Sequence, residues 1–108
     1  MKINRINSSF LIVILILLAA FPSTAQDKDS KYRLGQSYEQ SGDLDNAARI
    51  YKELLDAKPK SEELLKAVIR TYSKQNRFSE LAGIIEKHLP VHESPWLLTT
   101  YAEINWRT

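Results

Sequence analysis

The 108-residue chain contains no cysteine. Disulfides, thiolate metal sites and cysteine nucleophiles are excluded together, and so is a lipid-bearing cysteine behind the N-terminal segment. Glycine is scarce: Gly35, Gly42 and Gly83 are the whole complement, too scattered for a phosphate-cradling loop. No G-x-S-x-G elbow marks a nucleophilic serine. Strict apolar–polar alternation is missing, so no strand competes with helix anywhere. Excess charge is also lacking, with 15 basic against 13 acidic side chains and a net charge of +2. A nucleic-acid binder carries a clear basic excess, so that class of partner is excluded. Trp96 and Trp106 then read as core or repeat-interface residues rather than a base-stacking platform.

Histidine occurs twice, in "HLPVHE" at His88 and His92. Four-residue spacing on a helix would place two metal ligands on one face, but Pro90 lies between them and breaks that helix. The stretch, with Glu93, reads as a polar turn. Asp43, Asp45, Glu62 and Glu63 stand at helix starts, where carboxylates oppose the positive end of the dipole. No catalytic residue, metal or cofactor is expected, and the chain reads as a non-enzyme.

What is present begins with a targeting pattern. Lys2 and Arg5 precede the apolar run "FLIVILILLAAF" at 10–21, followed by Pro22 and the small-residue site Ser23-Thr24-Ala25. This is the order of a secretory signal peptide. The run falls short of the roughly 20 apolar residues a spanning helix needs, so cleavage after Ala25 is expected. Uncleaved, the segment would anchor the chain in a membrane. Of the 15 basic side chains, two (Lys2 and Arg5) lie in residues 1–25, which leaves 13 basic against 13 acidic in residues 26–108. An exported chain, periplasmic or secreted, is the expectation, and those residues must fold on apolar packing alone.

After a polar lead-in at Gln26–Ser30, Leu34, Gly35 and Tyr38 share one helical face within 31–41. "SGD" at 41–43 ends that helix, with Gly42 suited to a left-handed cap and Asp43 to capping the next. Leu44, Ala47, Ala48, Tyr51, Leu54 and Leu55 recur at three- and four-residue steps, an amphipathic helix stopped by Pro59. The cycle then repeats. Ser61 caps a helix bearing Leu64, Leu65, Val68, Ile69 and Tyr72; "KQNR" at 74–77 is the break, with Asn76 placed as Gly42 is. Phe78, Leu81, Ala82, Ile84, Ile85 and Leu89 form the next apolar face, and a fifth helix runs from Trp96 to Trp106.

Tyr38 and Tyr72 are separated by the same step as Gly42 and Asn76, the roughly 34 residues of one helix–turn–helix repeat. With Leu34, Gly35, Tyr38, Ala47, Tyr51 and Pro59 at their spacing, the chain resembles the tetratricopeptide repeat family. Lys31 replaces the family's early tryptophan. In the second unit Tyr72 agrees, but Ile69 and Leu81 stand where glycine and alanine are expected. The third begins near Pro95, with Tyr101-Ala102 similar to Leu34-Gly35. The resemblance implies an all-α, right-handed solenoid of antiparallel helix pairs: a signal peptide at 1–25, a domain at 26–108, and repeats at 28–61, 62–94 and a partial one at 95–108.

The resemblance also implies a concave groove lined by the first helix of each repeat. Tyr32, Gln36, Glu39 and Gln40 occupy inward places in the first unit, and Lys66, Arg70 and Lys74 in the second. A protein–protein interaction module follows, docking a peptide or helix there, with the three cations setting its polarity. The competing reading is a solvated helix face balanced by Glu62 and Glu63. Arrays of this kind want at least three repeats, and the last helix carries Tyr101, Ile104 and Trp106 with nothing after it. Three accounts stay open: the N-terminal part of a longer, membrane-tethered scaffold whose function lies downstream, self-association through that helix, or a partner covering it.

Overall fold

The computed structural model describes residues 24–108. The targeting segment at 1–23 lies outside the described residues. Five helices follow one another: α1 (Thr24–Gln40), α2 (Leu44–Ala57), α3 (Glu62–Lys74), α4 (Phe78–His88) and α5 (Pro95–Trp106). Among the described residues there is no strand, and no helix is long and apolar enough to cross a membrane. The sequence places every helix, with boundaries agreeing to within about a residue except at one. Gln26–Ser30 is not an irregular lead-in but the first part of α1. The segment holds no glycine or proline to stop a helix, and polar composition alone does not prevent one.

The two turns between paired helices are built alike. After α1, Gly42 takes φ +85°; its N–H donates to Glu39 O and the Asp43 N–H to Tyr38 O, at 3.2 and 2.8 Å. After α3, Asn76 takes φ 58°; its N–H donates to Ser73 O and the Arg77 N–H to Tyr72 O, at 3.0 and 3.1 Å. Both are Schellman motifs, which satisfy carbonyls a helix end leaves open, and they stand one period apart. Asp43 Oδ1 accepts the Asn46 N–H at 3.3 Å to cap α2. Ser61 Oγ accepts the Leu64 N–H at 3.2 Å to cap α3. Pro95 opens α5 at a position where its missing N–H costs nothing.

The core sits on α2 and α3. Ala47, Ala48, Ile50, Tyr51 and Leu55 from α2 meet Leu64, Leu65, Ala67, Val68, Thr71 and Tyr72 from α3, all buried. Leu81 and Ile85 of α4 and Leu97 and Ile104 of α5 extend it. α1 lies close along α2 because Gly35 has no side chain: a Cβ there would sit 2.8 Å from Tyr51 Cε1. In the second unit Ile69 and Leu81 fill the corresponding places, and α3 and α4 approach less closely than α1 and α2. Larger side chains hold the helix axes apart.

Three expectations about apolar residues need correction. Ile104 is buried rather than open, and Tyr101 is half-buried, because both pack against the core cluster. Trp106 is 90% exposed and belongs to no core, while Trp96 is half-buried. Leu34, a repeat-pattern position, is 47% exposed although its counterpart Val68 is fully buried. Val68 is covered by α2, whereas among the described residues no helix precedes α1.

Candidate functional site: the face shared by α1, α3 and α5

The first helices of successive units meet through side chains. Tyr32 Oη donates to Glu63 Oε1 at 2.9 Å, joining α1 to α3. Arg70 grips Glu39 with two donors, Nη2 to Oε1 at 2.8 Å and Nε to Oε2. Lys66 Nζ lies 5.0 Å from the Trp96 ring centroid, a cation–π contact from α3 to α5. These contacts place α1, α3 and α5 along one face. Gln75 Nε2 adds a bond to Leu44 O at 3.0 Å from the end of α3.

Glu39 is the electrostatic centre of that face. Besides Arg70, its Oε1 accepts the Tyr51 hydroxyl at 2.9 Å. Its side chain is 14% exposed against 45% for Arg70. The fork from Arg70 holds the Glu39 carboxyl below the ordinary glutamate range, with burial opposing and the Tyr51 hydroxyl assisting. The same pair drives the Arg70 guanidinium further up, so it stays charged throughout. Burial first, and then the adjoining carboxylates, push the Tyr51 and Tyr32 phenols above the usual tyrosine value. Such fork-shaped pairs fix geometry as well as charge.

The three cations singled out in the sequence fare differently. Lys66 pairs with Glu62 at 3.0 Å, one turn earlier on α3. Arg70 is held by Glu39, with its Nη1 engaged by no partner among the described residues. Lys74 is exposed and makes no ion pair among them. Gln36 and Gln40 are exposed on α1. Lys66, Arg70 and Lys74 are thus set against Glu62, Glu63 and Glu39, a face of balanced charge. The sequence reading placed Glu39 in the groove without its partner. The available signal was spacing: Tyr32–Glu63, Glu39–Arg70 and Leu44–Gln75 are each 31 residues apart.

Both histidines are buried and tied to the main chain. His88 Nδ1–H donates to Ile84 O at 2.8 Å, and His92 Nε2–H donates to Pro59 O at 2.7 Å. The second bond pins the turn after α4 to the linker between units. No group of three metal-ligating side chains occurs among the described residues. An open trough of about 550 Å³ runs past Asp45, Arg49, Lys52, Asp56 and Tyr72. Charges of both signs alternate along it, with no converging set of polar groups.

The tetratricopeptide repeat model matches residues 28–71, which is the first unit with nearly all of α3. A comparison with curated proteins found no match. The matched stretch and the turns reproduced one period later support the resemblance to a tetratricopeptide repeat protein.

Proposed function

We propose that the chain is a non-enzymatic docking module that holds an extended peptide or a helix along the α1–α3–α5 face. Tetratricopeptide repeats in general mediate protein–protein contacts, and nothing in the chemistry of this face calls for a reacting substrate. The observation that carries the reading is the fixed frame around unspent polar groups. Tyr32–Glu63 and Glu39–Arg70 lock α1 to α3, Gln36, Gln40 and Lys74 are exposed, and the Arg70 Nη1 makes no hydrogen bond among the described residues. A face ordered before binding loses less side-chain entropy when it binds. Glutamine amides suit a peptide backbone, while Lys74 and Arg70 suit its carboxylates.

A random peptide library panned against the protein tests this. Enrichment of acidic sequences, lost in Lys66→Glu/Lys74→Glu with helicity kept, supports the reading. No enrichment, or enrichment indifferent to the double reversal, overturns it. Export completes the proposal, supported by Lys2, Arg5, the apolar run at 10–21 and the site at 23–25. The intact mass of the protein from fractionated cells decides it: a mass beginning at Gln26 in the exported fraction supports export, and the full mass in the cytosol opposes it.

A further inference from the structure

Beside the open trough along α2 lies a smaller cleft of about 360 Å³, which shares Lys52, Asp56 and Tyr72 with it. Its walls are α2 and α4, and none of its lining residues belongs to α1 or α5. It is therefore a separate place from the face proposed for peptide docking. Here polar groups do converge. Tyr72 and His88 both line the cleft although each is only 4% exposed. Tyr72 Oη and His88 Nε2 make no hydrogen bond among the described residues, yet neither atom is sealed from solvent. What these two side chains expose opens into the cleft. The bond from His88 Nδ1–H to Ile84 O fixes the tautomer, so Nε2 of the neutral ring is an acceptor.

The hollow is made by α4. Glu80, Gly83, Ile84, Lys87 and His88 recur at three- and four-residue steps and form one stripe along the cleft, with Gly83 at its centre. A glycine inside a helix weakens it relative to alanine; its usual grounds are a close approach or an unusual backbone angle. Gly83 has neither, since its φ is not positive and a Cβ there would meet nothing within 4 Å. At Gly35 the Tyr51 ring explains the glycine. At Gly83 no group of the protein does, and the space a side chain would take belongs to the cleft.

We propose that this cleft binds a small acidic amino acid, a molecule with two carboxylates and one ammonium. The unspent charges on its rim are the complement of that set. Glu80 is already held by Arg77 at 2.6 Å, whereas Lys52, Lys87 and Asp56 make no ion pair among the described residues. The two lysines match two carboxylates, and the Tyr72 hydroxyl is a further donor. Asp56 and His88 Nε2 accept from the ligand's ammonium, and Ile84 and the bare Gly83 take its carbon chain. The volume stands at the low end of the roughly 300–1,000 Å³ of small-ligand pockets, which suits a free amino acid better than a helix. Exposed rim charges are screened, so a Kd on the order of 1 mM is expected.

L-Glutamate is the probe, titrated into the full chain at fixed ionic strength and followed by the backbone amide resonances of Gly83 and Lys87. Saturable shifts are expected, with glutarate, which lacks the ammonium, bound at least about tenfold more weakly. A peptide beginning with glutamate lacks the free α-carboxylate and should be weaker by about the same factor. Gly83→Leu fills the hollow with a good helix former at an exposed position. It should unfold no earlier in urea than the parent, yet bind L-glutamate at least about tenfold more weakly. Lys52→Gln, also at an exposed position, should weaken binding several-fold at unchanged helicity. Shifts that never saturate, or equal affinity for glutarate or the peptide, would overturn the proposal. So would binding undiminished by both substitutions.

Discussion

The Tyr51 ring lies so close to Gly35 that a Cβ on that residue would sit 2.8 Å from Cε1 and 3.2 Å from Ile50 Cγ2. Tyr51 is fully buried and its hydroxyl is held by Glu39, so the ring has no room to retreat. Gly35→Ala gains helix propensity of about 1 kcal/mol but overpacks a site where such insertions cost about 1–3 kcal/mol. A net loss of up to about 2 kcal/mol is expected, read as a lower urea midpoint with unchanged slope. A midpoint at or above that of the parent would show that the ring does move aside.

Glu39→Gln removes the charge while keeping the shape. Hydrogen bonds to charged groups contribute about 1.5–3 kcal/mol, and the half-exposed Arg70 is partly screened. A loss of about 1–2 kcal/mol is expected at neutral pH. Because Arg70 depresses the folded carboxyl below its ordinary 4.5, this contribution is present above that value. It disappears as pH falls through the lower folded value, where the folded state takes up the same proton. The difference in stability between parent and Glu39→Gln should therefore shrink on acidification. A difference constant down to acid pH would mean that the Glu39 charge contributes nothing.

At the alkaline end the sign reverses. Burial raises the phenols of Tyr51, Tyr32 and Tyr72 above their ordinary 10.0. The folded state keeps protons that the unfolded chain releases, so stability declines as pH rises past that value. In an absorbance titration the Tyr51 phenolate should appear together with the loss of helicity rather than before it. Tyr51→Phe should remove one phenol from the late, cooperative phase. Its removal from the early phase instead would mean the hydroxyl ionises in the folded protein.

The two left-handed turn residues give a paired prediction. A Cβ on Gly42 would meet nothing within 4 Å, so Gly42→Ala incurs backbone strain alone, at about 1 kcal/mol. Asn76→Ala should cost a similar amount, about 1 kcal/mol, while Asn76→Gly is tolerated within ~0.5 kcal/mol. Denaturant midpoints of the three variants decide it. A harmless Asn76→Ala would remove the equivalence of the two turns.

Local features of the fold were readable because they are written in contiguous residues. Gly42, Asn76, Asp43 and Ser61 announce turns and caps through their own conformational chemistry, and the apolar steps of α2 and α3 give their buried faces directly. The site was readable only in outline. Its central pair, Glu39 and Arg70, joins helices of different repeats, and a helical wheel of either helix alone shows only a polar position. The outward turn of Trp106 and the inward turn of Ile104 were hidden for a related reason. Both are apolar and close neighbours in sequence, and only the packing of α5 against the earlier helices decides which of them is covered.

The concentration of buried side chains on α2 and α3 has a consequence for how the molecule is divided. These helices belong to different repeats, yet they share the most densely buried layer, so the repeat period is a unit of sequence and not of cooperativity. A designer who duplicates or grafts pieces of this chain would keep that layer whole by cutting through the turns at Gly42 and Asn76. A cut at the Lys58–Ser61 linker, where the pattern itself begins anew, would split it and leave two fragments, neither able to fold around its own interior.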